Sequence, residues 1–269
     1  MEVKYDATLI TVLMAEYNTV PQLLRGAISS ILAQTERRFE LIVVDDGTEN
    51  DLVQLASEFE DERIRVIGYG ENRGFVAALN YGLAAARGEF VARMDTDDIA
   101  DPSYLAETLV FLREHPEFDV VSGQALEFSA DGPSLVQGVP GEVTRKSLMR
   151  GGAPIHAASM IRKRALLAVQ GYPDYRRAED LALWCELLLT DVRMYILPKV
   201  LYQYRVNEAD FAKRRFKHRG DEIRVRLHYY PKLGGGPREY FRVAKTVLSG
   251  ILPVPLVRWI RSRIHVRAS

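Results

Sequence analysis

The first hundred residues alternate short apolar runs with stretches of helical periodicity. Residues 9–13 (LITVL), 41–44 (LIVV), 64–67 (IRVI) and 90–94 (FVARM) are short and largely apolar, as strands buried on both faces are. Between them, Leu23, Leu24, Ala27, Ile28, Ile31 and Leu32 form one helical stripe, with Thr19 and Pro21 as its start signal. Residues 52–59 and the alanine-rich 75–86 read as two further helices. Strands of this kind joined by helices predict an α/β fold with a parallel sheet covered on both sides. Ligands of such sheets collect at the carboxyl ends of the strands. Those ends carry Tyr17 and Asn18, then Asp45 and Asp46, then Asp95-Thr96-Asp97-Asp98.

Beyond Pro102 the alternation weakens. Residues 104–113 predict a helix, 120–128 a strand, 131–141 a turn-rich stretch and 157–161 another strand. Residues 181–189 predict a helix opened by Glu179 and Asp180, and 194–197 a strand. From Glu208 the chain is charged and helical in pattern, with a break at Gly234-Gly235-Gly236-Pro237. The domain boundary is therefore placed near Asn207: an α/β domain over residues 1–206 and a basic helical extension over 207–269.

Composition changes the picture in three ways. At 47% hydrophobic and 27% charged, the 269 residues can bury a sizeable core, which excludes global disorder. A single cysteine, Cys185, excludes a disulfide framework and any multi-cysteine zinc site. The 36 basic and 36 acidic residues cancel, yet residues 205–269 hold 16 basic and 5 acidic, a net of +11. That leaves 20 basic and 31 acidic residues before them, a net of −11. A basic tail on an acidic body seeks an anionic partner: a membrane surface, nucleic acid or the body itself. From Arg238 onward, seven basic residues are interleaved with apolar ones including Trp259, against one acid, Glu239. This pattern suits a segment lying in an anionic membrane interface, split into two short helices at Pro253 and Pro255. The alternative is a helix packed on the acidic body; no nucleic-acid recognition motif accompanies the charge. The start of the chain lacks the features of a signal peptide, and no uncharged apolar run approaches the roughly 20 residues that span a bilayer. The expected location is cytoplasmic, in solution or peripheral on the inner face of the membrane.

The acidic cluster at 95–98 carries the strongest chemical signal. Like charges at a strand end call for a balancing cation, and hard oxygen ligands at this density suit magnesium or manganese. Asp101 reads instead as a helix-capping acid before Pro102. Asp45-Asp46-Gly47-Thr48 is either a turn before a helix or a carboxylate pair able to accept from the N–H of a uracil ring. Tyr17 is either a core residue or an aromatic platform for a nucleobase. Arg73, beside Gly74, could reach a phosphate. Glu179 and Asp180 are either first-turn acids favoured by the helix dipole or the site of a general base, with Trp184 one turn along as an apolar platform for a sugar. His156 is either structural or a ligand-contacting residue, and Cys185 a core residue. No Ser-His-Asp arrangement and no G-x-x-x-x-G-K-[ST] or G-x-G-x-x-G loop is present.

Taken in order, five segments resemble the motifs of family-2 glycosyltransferases over roughly residues 8–205. They are residues 13–18 with 27–35 (LMAEYN, AISSILAQT), 40–48 (ELIVVDDGT), 72–74 (NRG), 94–98 (MDTDD) and 179–184 (EDLALW). The resemblance implies a GT-A fold and inverting transfer from a nucleotide-diphosphate sugar, with a UDP-sugar as the family-level expectation. It implies that Ala15, Tyr17 and Asp46 line the nucleobase pocket and that Asp95 lies near the ribose or the metal. Asp97, with Asp98, would hold Mn2+ or Mg2+ against the diphosphate, and Asp180 would deprotonate the acceptor hydroxyl. Arg73 is carried as a nucleotide-sugar contact, and Trp184 and His156 as acceptor contacts. The acceptor would be a glycan or lipid-linked species in the synthesis of surface polysaccharide, lipopolysaccharide or glycolipid. Two positions depart from the family pattern. Ala15-Glu16 replaces the usual proline, and a glutamate there is unfavourable beside a diphosphate unless it points away. Cys185-Glu186-Leu187 lacks the basic residue often found after the tryptophan. A sugar nucleotidyltransferase would want a lysine-bearing, glycine-rich loop where Ala15-Glu16-Tyr17-Asn18 stands. A non-catalytic sugar-nucleotide-binding module would not need Asp180 beside Asp95 and Asp97.

Overall fold

The computed structural model describes residues 6–129, 132–206, 220–240 and 244. β1 (Asp6–Glu16), β2 (Phe39–Asp45), β3 (Ile64–Gly68) and β4 (Gly88–Arg93) are joined by α1 (Pro21–Leu32), α2 (Leu52–Ser57) and α3 (Phe75–Ala85). These strands pair in parallel in the order β3-β2-β1-β4. β5 (Ile99–Ala100) and α4 (Tyr104–Glu114) follow, then β6 (Val120–Ser129), β7 (Gly132–Gln137), β8 (Gly141–Val143) and α5 (Arg145–Met149). A 3₁₀ turn at His156–Ala158 leads into β9 (Ser159–Arg162), α6 (Lys163–Ala168), α7 (Glu179–Leu189), β10 (Met194–Arg205) and α8 (Gly220–Tyr229). The sheet continues as β4-β9-β6-β10-β5, with β7 on β6 and β8 on β10. β9 is antiparallel to both β4 and β6, whereas β10 runs parallel to β6.

Both faces of the sheet are covered, as the apolar strands require. Ile10, Val12, Met14, Leu41, Val43, Phe90 and Ala92 pack toward α1, α2 and α4. Leu13, Ile42, Val44 and Val91 point the other way, into a core shared with α3, α6 and α7. Arg93 follows Val91 at the two-residue period of a strand, so its side chain belongs to that second face.

Four details differ from the sequence reading. The turn-rich stretch contains β7 and β8, short strands opened by Gly132 and Gly141; these glycines, with Gly138 between the strands, have positive φ and hide the alternation. The strand expected from Ala157 starts at Ser159, because His156–Ala158 coil first. β10 runs past Pro198 to Arg205, since β6 and β5 both pair with its far half. Thr19 does not cap α1: Val20 takes that position without a side-chain bond, and Thr19 Oγ1 lies 2.7 Å from Thr96 Oγ1.

The expected boundary near Asn207 and the segment around Trp259, Pro253 and Pro255 lie outside the described residues. The stretch 220–240 does pack on the α/β core. Val225, Tyr229, Tyr230 and Leu233 are buried in the same cluster as α7. Tyr229 Oη donates to Glu186 Oε1 at 2.6 Å and Tyr230 Oη donates to Met149 O at 3.3 Å. Val225 has no exposure, so Val225→Asp buries an unpaired charge or its proton. The variant is expected to melt at least about 5 °C below wild type in a circular-dichroism scan, since each kcal/mol shifts a domain of this size by about 2–4 °C.

Candidate active site

The first two strand ends are bound to each other by side chains. Asp45 Oδ1 accepts from the N–H groups of Gly47 and Thr48, both at 2.9 Å, which makes it the turn residue of the pair. Gly47 has φ +77°, and a Cβ there would lie 2.5 Å from the backbone of Glu71 and Asn72, so the turn needs glycine on both counts. Asp46 is buried, and its Oδ1 accepts from Tyr69 Oη and, at 2.8 Å, from Arg73 N–H. Gly74 N–H is shared between Oδ1 (3.1 Å) and Oδ2 (3.0 Å), which leaves Oδ2 with room for another donor. Ala15 is half-buried beside Val44 at the end of β1. Tyr17 is 53% exposed, which removes the core reading for its ring. Arg73 pairs with Glu71 at 2.8 Å and lies over the Tyr69 ring at 4.7 Å, at the surface on the Asp46 side.

Glu16 is fully buried, its side chain turned toward Thr19 and Asn50. Its Oε1 accepts from Thr19 N–H at 2.8 Å and from Asn50 Nδ2 at 3.0 Å. Asn50 Nδ2 also donates to Thr19 O at 2.8 Å. The residue that replaces the expected proline thus fixes the loop that displays Tyr17.

The acidic turn divides into inward and outward carboxylates. Asp98 is 1% exposed, and its Oδ1 accepts from Arg205 N–H at 2.7 Å. The resemblance made it a metal ligand with Asp97; here its carboxylate is buried, whereas Asp97 is half-buried. Asp97 is half-buried, and its backbone oxygen accepts from Arg205 Nε at 2.8 Å. The Asp95 side chain is 31% exposed; its Oδ1 accepts from Arg93 Nη2, and its N–H donates to Tyr202 Oη at 3.0 Å. Asp101 does not cap the next helix directly. Its Oδ1 accepts from Ser103 N–H and Oγ at 2.9 and 2.7 Å and turns the chain into α4.

A cavity of about 460 Å³ opens beside this turn. Asp95 and Arg93 form one wall, Glu179 and Asp180 at the start of α7 another, and Gln137, His156 and Tyr204 complete its polar lining. Ala178 enters α7 with φ +62° and no side-chain cap, so Glu179 and Asp180 occupy its first turn without serving as the capping residue. Asp180 Oδ1 accepts from Leu181 N–H at 2.7 Å. Burial first, then the neighbouring Asp180, pushes Glu179 up to about 7, and burial raises Asp180 as well. Burial, then Asp95, pushes Asp98 up to about 8. His156 lines the cavity, but burial and then the Arg93 charge hold it well below its ordinary value, so the imidazole is neutral.

Trp184 needs correction as an acceptor contact. It has no exposure and packs edge-on to His156 at 5.9 Å between ring centroids. Leu183, Cys185, Leu187 and Leu188 are buried around it because α7 is enclosed by the sheet, α5 and α8. Glu186, where a basic residue was expected nearby, is spent on docking α8 through Tyr229. Arg93 was not singled out from the sequence; the signal is one arginine in the apolar strand FVARM.

Among the described residues no group of three or more His, Cys, Asp and Glu forms a metal cage. Magnesium and manganese at nucleotide sites rely on one or two carboxylates plus substrate phosphates. Asp97 and the partly exposed Asp95 are hard oxygen donors of that kind, so the residues present fit such an ion.

The family model described as glycosyl transferase family 2 matches residues 11–166, more than half of the chain. The chain belongs to this family. It is a glycosyltransferase. A putative glycosyltransferase of Bacillus subtilis, EpsE, is 29% identical over 95% of this chain and 94% of its own. An uncharacterized glycosyltransferase of Haemophilus influenzae is 32% identical over 92% and 96%. A UDP-Gal:alpha-D-GlcNAc-diphosphoundecaprenol beta-1,3-galactosyltransferase of Escherichia coli is 28% identical over 84% of each chain. Among solved structures, S. aureus TarS 1-349 has a TM-score of 0.66 at 20% identity, covering 91% of this chain and 71% of that one. The mannosyltransferase PcManGT of Pyrobaculum calidifontis, with GDP-Man and Mn2+, has a TM-score of 0.68 at 17% identity, covering 98% and 84%. The mostly parallel central sheet with helices on both faces is the GT-A fold of these neighbours.

The raised carboxyls make stability depend on pH. A carboxyl with a folded value above its unfolded one keeps a proton that the unfolded chain has released. The folded state is then favoured at low pH and loses ground as pH rises through the folded values of about 7 for Glu179 and about 8 for Asp98. In metal-free buffer the melting temperature is expected to fall from about pH 5 to about pH 8, with Asp98→Asn flattening that fall. A melting temperature that climbs across this window contradicts the assignment.

Proposed function

We propose that this chain is an inverting, metal-dependent glycosyltransferase that moves a sugar from a nucleoside-diphosphate donor, preferably uridine-linked, to a glycan or lipid-linked acceptor of surface-polysaccharide, lipopolysaccharide or glycolipid synthesis. One observation carries this reading: Asp95 at the end of β4 and Asp180 at the start of α7 line the same cavity. Inverting transfer needs a donor-holding wall and a base on the opposite face of the reacting carbon. Support for the chemical class of the substrates comes from the names of relatives. The E. coli enzyme is named for UDP-Gal and a diphosphoundecaprenol-linked acceptor, and TarS has been solved with UDP-GlcNAc. PcManGT carries GDP-Man and Mn2+, which supports a divalent ion and leaves guanosine donors in the comparison.

In this reading Tyr17 stacks on the base and Asp46 Oδ2 accepts from its N–H, with Ala15 as the pocket wall and Arg73 at its rim. Asp95 meets the donor beside the diphosphate, and Asp97 holds the divalent ion. When bound, that ion offsets the negative charge that develops on the leaving diphosphate. Asp98 braces the turn through Arg205 N–H instead of facing the ion. Asp180 takes the acceptor hydroxyl proton as the acceptor oxygen attacks the anomeric carbon and the nucleoside diphosphate departs. Its raised value suits a group that must collect a proton near neutral pH. His156, neutral at the pocket wall, faces the acceptor side. The transfer domain is assigned to residues 1–206 and the basic extension to 207–269, with 220–240 docked on the domain.

Asp97→Asn is expected to lower turnover by at least about two orders of magnitude and to weaken Mn2+ binding in the presence of nucleotide. Asp180→Asn is expected to keep nucleotide-sugar affinity while losing transfer, because it removes a proton acceptor and leaves the donor side intact. Calorimetry beside a nucleoside-diphosphate release assay, run over a panel of sugar nucleotides, checks both. Equal loss of binding and turnover in Asp180→Asn would make that residue structural.

The interleaved basic and apolar residues beyond Arg238 support docking on an anionic membrane surface, at about 1 kcal/mol for each cation near the leaflet. Among the described residues no helix is long and apolar enough to cross a membrane. The full chain is expected to sediment with anionic but not neutral liposomes at low salt, and a chain ending at Tyr240 to stay in the supernatant. If both stay in the supernatant, the membrane reading fails.

A further inference from the structure

Arg93 is the one Lys or Arg among the described residues that line the cavity. It is 1% exposed, and a buried guanidinium is costly unless it is paired and hydrogen-bonded. Its Nη1 donates to Leu13 O at 3.2 Å and to Met94 O, and its plane lies 4.9 Å from the Phe75 ring centroid. These contacts tie β1 to β4 directly beneath the loops that carry Tyr17 and Asp95. Its Nη2 donates to Asp95 Oδ1, and the Asp95 side chain is partly exposed at the cavity. Asp95 is thus gripped at both ends: its carboxylate by Arg93 and its N–H by Tyr202.

The opposite wall holds Glu179 and Asp180, so three carboxylates line one cavity. Like charges that share a site oppose one another's ionisation. Arg93 counteracts this, because its charge lowers the value of Glu179 that burial and Asp180 have raised. A lysine on a flexible stem would not reproduce these bonds, whereas a planar guanidinium can hold two carbonyls and a carboxylate at once.

We propose that Arg93 is a positioning residue of the transfer reaction, which fixes the Asp95 carboxylate against the donor and places a buried positive charge between the Asp95 wall of the pocket and Glu179. This rests on the donor-side role proposed for Asp95.

The test compares wild type, Arg93→Met, Asp95→Asn, the double variant and Arg93→Lys. Each is titrated calorimetrically with UDP-GlcNAc, UDP-galactose and GDP-mannose in the presence of Mn2+, and melted without nucleotide. Methionine fills the apolar space beside Phe75, so Arg93→Met is expected to keep a cooperative transition near that of wild type. Its affinity for the donor that wild type binds is expected to fall at least about tenfold, the usual scale of a lost charge-assisted hydrogen bond. Asp95→Asn is expected to lose a similar factor, and the double variant no more than the worse single one, since Arg93 acts through Asp95. Arg93→Lys should recover only part of the loss. Losses that multiply in the double variant overturn the proposal, as does wild-type affinity in Arg93→Met. If Arg93→Met does not melt cooperatively, Arg93→Gln takes its place in the same comparison. Wild type binding none of the three donors would remove the donor-side reading itself, a result distinct from binding that is indifferent to Arg93.

Discussion

Where β4 runs out at the carboxyl edge of the sheet, a guanidinium shielded from water meets a carboxylate that reaches it, and the neighbouring acidic groups are arranged around that pair. Parallel strands bring their loops to one edge, which concentrates acids there: Asp46 after β2, and Asp95, Asp97 and Asp98 after β4. The edge manages this density by giving each inward carboxylate its own donors. Asp46 has Tyr69 and two N–H groups, Asp98 has Arg205 N–H, and Asp95 has Arg93. Burial raises Glu179 and Asp180 on the other wall of the cavity, as it raises Asp98.

The loops after β1 and β2 are fixed by side-chain bonds where a proline would have fixed the backbone. Glu16 reaches Thr19 N–H and Asn50, and Thr19 in turn reaches Thr96 on the acidic turn. Asn18, with φ +54°, takes Thr48 Oγ1 and Glu49 N–H on its side-chain oxygen. The loops after β1, β2 and β4 are thereby linked before any ligand arrives, which reduces the ordering entropy that binding would otherwise cost.

Much of this fold was legible because its strands are too apolar to be anything but buried, and the strand-end acids stand out against them. LIVV followed by two aspartates leaves little choice of where the chain turns. Other features depend on tertiary context. Arg93 sits in a strand that reads as apolar, and only the opening of the cavity on that face turns it from an exception into a constituent of the site. Trp184 lies one turn beyond Asp180, so helical spacing places the two on one side of α7. Spacing cannot tell that α5, α8 and the sheet close over that side. β7 and β8 were hidden by glycines that break the alternation of short, half-exposed strands.

The junction between α7 and α8 has a mechanical consequence. Tyr229 is bonded to Glu186, and Val225 is buried with Leu183 and Leu187 on the helix that begins with Asp180. Glu239 is paired with Arg150, one residue from the cavity-lining Gly151. A pull applied at Tyr240 is therefore borne first by α7 and the segment at Arg150, on the wall of the cavity that holds Glu179 and Asp180.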